Sequence, residues 1–183
     1  MKKFLTITFS LLIAFVILTG CNNKVDDTDI DDDDEIKEST QGFDGDIDTS
    51  WDEVSDDYNA IELEAREEVR NNDNITADDV RTLANTIQTK YTTVRNGITS
   101  DNEDDAKELY RDSIKLQEIA KKDGTRVEHE VTHLAENGEA MVKQFYGEAE
   151  DDFDNLKEDF ENGLESIKGY TEDKWQEFMD LLK

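Results

Sequence analysis

The chain has 183 residues, with 48 acidic against 20 basic side chains for a formal net charge of −28, and it contains no proline and a single cysteine. That balance excludes nucleic acid and anionic lipid head groups as natural partners, because phosphate binding needs clustered cations. One cysteine rules out an intrachain disulfide, and the length leaves room for one modest domain and a linker.

The first element is a leader. Lys2 and Lys3 precede an uncharged run from Phe4 to Leu18 that is apolar apart from Thr6, Thr8 and Ser10. A spanning helix needs about 20 apolar residues, so this shorter run reads as a secretory h-region. It closes on Leu18-Thr19-Gly20-Cys21, a leucine, two small residues and the sole cysteine. The segment resembles the signal peptide of bacterial membrane lipoproteins. The resemblance implies that residues 1–20 are removed and that the Cys21 thiol carries a diacylglyceryl group. The mature chain would then be lipid-anchored at the extracytoplasmic face of the cell membrane. Two or three acyl chains, at about 0.8 kcal/mol per buried CH2, hold such an anchor firmly where one does not. Loss of Lys2 and Lys3 takes the net charge from −28 to −30.

Residues 21–49 form the next block. Lys24 and Lys37 face a dozen acids, and only Val25, Ile30, Ile36, Phe43 and Ile47 are apolar, without period. Such a segment cannot bury enough surface to offset its ordering entropy, so it is expected to be a disordered acidic tether. Asp44-Gly45-Asp46-Ile47-Asp48 opens like a calcium loop. Thr49 and Ser55 then stand where the loop glycine and the bidentate glutamate belong. Diffuse attraction of divalent cations is the expectation, not a structured site.

From Ser50 the pattern becomes helical. Ser50 and Glu53 form a capping box. Trp51, Val54, Tyr58, Ile61, Ala65 and Val69 then recur at three and four, which is one face of a helix ending at Asn71–Asn74. Thr76 to Asp79 opens a second helix with stripe Val80, Leu83, Ala84, Ile87, Tyr91, Val94 and Ile98, closed by Gly97. Ser100 to Glu103 reads as another capping box. The third stripe is Ala106, Leu109, Tyr110, Ser113, Leu116 or Gln117, and Ala120. Lys121-Lys122-Asp123-Gly124 reads as its end, the lysines compensating the dipole. Thr125 to Glu128 is expected to start a fourth helix, or to continue the third through a kink at Gly124. The fourth stripe is Val127, Val131, Leu134, Met141, Val142, Phe145 and Ala149. The fifth is Phe153, Leu156, Phe160, Leu164 and Ile167, and the last, from Thr171, carries Trp175, Phe178, Met179 and Leu182. No alternating β-branched run stands outside the leader. One-sided stripes need partners, so residues 50–183 are predicted to be all-α: an antiparallel helical bundle of four to six helices.

One motif could carry chemistry. His129-Glu130-Val131-Thr132-His133 holds the only two histidines, spaced to share a helix face. It resembles the H-E-x-x-H motif of zinc metallopeptidases. The resemblance implies His129 and His133 as zinc ligands and Glu130 as general base on zinc-bound water. A catalytic zinc also needs a third protein ligand, and no further histidine follows. On a helical wheel both imidazoles fall opposite the fourth apolar stripe, away from the core.

The expected function is therefore that of an extracytoplasmic lipoprotein. Its acidic helical domain would be a binding module for a basic protein partner or divalent cations, with no cofactor. The alternatives are a small membrane-tethered zinc peptidase centred on Glu130, or a cation-binding lipoprotein.

Overall fold

The computed structural model describes residues 49–148 and 153–183. The leader, Cys21 and all but the last residue of the tether lie outside these residues, as does Ala149. The described residues form an all-α bundle, as the stripes predict. Its helices are α1 (Trp51–Arg70), α2 (Ala77–Val94), α3 (Glu103–Ile119), α4 (Glu130–Phe145), α5 (Phe153–Lys168) and α6 (Glu172–Leu181). A two-stranded hairpin, β1 (Lys121–Lys122) and β2 (Thr125–Arg126), joins α3 to α4.

Local chemistry sets the helix starts. The Ser50 N–H donates to Glu53 Oε2 at 2.9 Å. At Thr76 the exchange runs both ways: its N–H reaches Asp79 Oδ2 at 2.8 Å and its Oγ1 accepts from the Asp79 N–H at 3.3 Å. Each exchange satisfies donors that a helix start leaves orphaned. The third start differs from the expected Ser100 box. Asn102 is the N-cap, and its Nδ2 donates back to Thr93 O at 3.0 Å and Gly97 O at 2.9 Å. One amide thus staples the end of α2 to the start of α3.

The segment 121–126 corrects the sequence reading more strongly. Neither a fresh helix at Thr125 nor a kinked continuation forms. Asp123 and Gly124 both have positive φ, 50° and 74°, and pair Lys121 with Arg126 and Lys122 with Thr125. Asp-Gly is a strong two-residue hairpin signal, because both positions tolerate left-handed backbone that matches strand twist.

α3 is the central helix. It packs on α1, α2 and α4, and Ile114 is as fully buried as Leu109 and Leu116. A single stripe could not show that, since a helix enclosed on three sides buries a wider arc. α5 closes the bundle against α4, and the Phe160 ring meets Tyr91 of α2 edge-on at 4.7 Å. α1, α3 and α5 run one way, with α2 and α4 antiparallel to them. At one pole the Trp51 N–H donates to Tyr146 O at 3.0 Å, and in the cluster of Trp51, Tyr58, Tyr110 and Tyr146 the rings of Trp51 and Tyr58 each lie within 6.2 Å of the other three. At the other pole lie the end of α1, the hairpin, the start of α4 and α6. There Arg81 of α2 reaches Glu172 at 2.8 Å.

Candidate functional site

The H-E-x-x-H segment sits at that second pole, and only its last four residues are helical. His129 is the N-cap of α4, with extended backbone (φ −159°, ψ 155°), and its Nδ1 accepts the Val131 N–H at 3.2 Å. The shared helix face expected for His129 and His133 therefore does not exist: the hairpin consumed the turn that would have extended the helix upstream. The His129 ring is half-buried, 4.8 Å from the Phe178 ring of α6 and edge-on to Tyr170 at 6.3 Å. Burial pushes its pKa below the ordinary histidine value.

His133 has other neighbours. It is 55% exposed, with Nε2 3.3 Å from Glu128 and Nδ1 3.0 Å from an Arg126 guanidinium nitrogen. Arg126 itself spans Glu128 and Glu136. The arrangement is a surface ion cluster built by the hairpin returning over the first turns of α4.

Glu130 is the first residue of α4, where the helix dipole favours an anion. Its carboxylate accepts from the Tyr170 hydroxyl at 2.5 Å and from Ser166 Oγ at 2.9 Å. These bonds, the Tyr170 hydroxyl foremost, hold the carboxyl below its usual pKa. Both bonds are accepted at Oε2, and they fasten α4 to the end of α5 and the turn after it. Sequence alone gives no sign of that role, because the partners are 36 and 40 residues away.

One imidazole nitrogen of His129 is committed to its cap and the ring to Phe178, while His133 faces Glu128, Arg126 and Glu136. Among the described residues, no three His, Cys, Asp or Glu side chains are grouped so that they could hold a metal ion. The residues present do not fit a catalytic zinc.

The cap has a consequence for pH. Protonated His129 cannot accept at Nδ1, and it places a cation at the positive end of α4. Its folded-state pKa is depressed, so its stabilising contribution is complete above about pH 6.5, the free histidine value. It is lost as pH falls through the folded pKa. Losing the cap costs about 1 kcal/mol. Asp112, half-buried on α3, works in the opposite sense, since burial pushes its carboxyl up to about 6. The comparison that isolates the histidine is wild type against His129→Asn, because asparagine caps well and does not titrate. Between pH 7 and 5 in urea melts, the wild type is expected to lose about 1 kcal/mol relative to the variant. Parallel curves would refute the cap assignment.

Other concave regions lie on the bundle. A groove of about 200 Å³ between α1, α2 and α3 has an apolar floor of Val69, Ile75, Leu83 and Ile119, with Glu68 and Lys115 paired at 2.7 Å on its rim. A cleft of about 100 Å³ lies where α2 meets the ends of α5 and α6, lined by Asn85, Gln88, Ile167, Tyr170 and Trp175 among others. Trp51 and Trp175, expected in the core, are 8% and 3% exposed. No family model, curated protein or solved structure matches this chain.

Proposed function

We propose that this protein is a lipid-anchored component of a bacterial cell envelope. Acyl chains on Cys21 would hold it to the extracytoplasmic membrane face, and its helical domain would be a binding module. The observation that carries the proposal is Leu18-Thr19-Gly20-Cys21 behind Lys2, Lys3 and a short apolar run, with no other cysteine in the chain. Among the described residues no helix is long and apolar enough to cross a membrane. The His129, Glu130 and His133 side chains have structural partners that account for them without catalysis. With a mature charge of −30, the acidic faces suit a basic protein partner, steered by electrostatics and weakened by salt.

The test is Cys21→Ser expressed in a bacterial host. Wild type is expected in the detergent phase and membrane pellet, with mature mass raised by the acyl groups. The variant is expected in the aqueous phase, without the added mass. Identical mass and fractionation of the two would overturn the proposal.

A further inference from the structure

From Val80 to Ser100 the chain has no aspartate or glutamate, although 48 acids are spread over the rest. This stretch is most of α2 and the turn after it, and the outer face of α2 carries exposed Thr82, Asn85 and Thr89 with the part-exposed Arg81 and Lys90 beside them. Thr82, Thr86 and Thr89 each donate a hydroxyl to their own helix, to Asp78 O, Thr82 O and Asn85 O at 2.8, 3.1 and 2.9 Å. Their acceptor lone pairs therefore point outward. The side-chain amides of Asn85 and Gln88 show no hydrogen bond to any described residue, and each offers two donors and an acceptor.

These groups converge on two depressions. The cleft of about 100 Å³ takes Asn85 and Gln88 on one wall and Ile167, Tyr170 and Trp175 on the other. A shallower trough of about 360 Å³ continues from Asn85 along Thr82, Thr86 and Thr89 to Lys90. Asn85 belongs to both, so they form one track along the helix. The cations that line it are paired: Arg81 with Asp78 and Glu172, Lys90 with Asp105 and Glu108, and Lys168 with Glu165 at 3.6 Å. The Tyr170 and Trp175 rings meet edge-to-face at 5.0 Å; Trp175 is buried beneath, so the half-buried Tyr170 ring is the aromatic surface the cleft offers.

We propose that this acid-free track on α2 and its aromatic cleft bind an uncharged glycan chain. Charge selects that occupant. A basic protein would find no acidic side chain on the track itself. A polyanion would meet cations already paired, on a body of strong negative charge. A neutral sugar chain pays no such repulsion. Its hydroxyls match a row of outward acceptors and free amides, and its C–H faces match aromatic and aliphatic wall atoms. The inference rests on the binding-module reading and adds, on this one face, an uncharged ligand beside the basic partner that the acidic faces suit.

The experiment uses the full chain in detergent, titrated by calorimetry and amide NMR with chitohexaose, cellohexaose and heparin. Binding of either neutral oligosaccharide, with shifts confined to α2 and Tyr170–Trp175, is the expected result. The double variant Asn85→Ala/Gln88→Ala, at helix positions where alanine is well tolerated, is expected to weaken it about tenfold. Asn59→Ala on the exposed face of α1 is expected to leave it unchanged. No binding of either neutral chain, binding of heparin alone, or shifts outside α2 would overturn the proposal. Membrane fractionation of Cys21→Ser reads the anchor separately, so failure here leaves that result intact.

Discussion

Replacing Glu118 with alanine is expected to destabilise the bundle by about 3 kcal/mol, the scale for removing one partner of a buried ion network. Glu118 is only 9% exposed, and it takes Arg66 at 3.0 Å, Arg70 at 2.7 Å and Lys121 at 2.7 Å. Those cations come from two turns of α1 and from the first hairpin strand, so one carboxylate fastens three elements at one pole. In a chain with few cations, three converge on a single acid. Burial alone would raise the Glu118 pKa, but the bonds from Lys121, Arg70 and Arg66 outweigh it and pull it down to about 2. The sign follows: the contribution is complete above about pH 4.5 and is lost as pH falls toward 2. Urea denaturation at pH 7 and pH 3 checks both parts. Glu118→Gln is expected to recover some of the loss by keeping an acceptor. A loss below about 0.5 kcal/mol for alanine, the level of an ordinary exposed pair, would contradict the network.

Gly138→Ala is the second large effect. In most exposed helix positions this exchange stabilises by up to about 1 kcal/mol. Here a Cβ would stand 2.3 Å from Ser113 Oγ, 3.3 Å from Ser113 Cβ and 3.4 Å from Phe160 Cε2. Gly138 lets α4 approach α3 on one side and α5 on the other, and the added methyl overpacks both contacts. A loss of about 2 kcal/mol is expected. Ser113 Oγ is buried without a hydrogen-bond partner among the described residues, so Ser113→Ala alone is expected to be neutral or stabilising. Combined with Gly138→Ala it removes the closest clash and is expected to restore most of the loss. A double-mutant cycle measures this as coupling above about 1 kcal/mol. Strictly additive single effects would show that the two helices do not meet through this pair.

The helical stripes were legible because each outer helix buries one face, and three- and four-residue spacing reports that directly. Trp51, Tyr58, Phe160 and Phe178 all stand where periodicity placed them. The central position of α3 was not legible, because no local pattern tells a helix how many neighbours it will have. Ile114 is the residue that records it. The hairpin was readable in principle from Asp123-Gly124. A glycine after two lysines equally marks a helix end, and that reading places the start of α4 several residues upstream. The error passed into the candidate site, since the shared face of His129 and His133 presumed a helix already under way at 129. Glu130 misled for another reason: its hydroxyl partners come from a later helix and the turn after it. The acid-free track on α2 was written in the sequence as a gap in the acids, and its weight became visible only when Asn85 and Gln88 were seen beside Tyr170 and Trp175.

The junction at Trp51 sets how the molecule carries mechanical load. Tension applied at Ser50 and resisted at the hairpin end would run along the helix axes, dragging α1 lengthwise past α3. The aromatic box and the Arg66–Arg70–Glu118 clasp sit at opposite ends of that sliding contact, so they resist together instead of opening in turn. Shear of this kind distributes strain over many bonds at once.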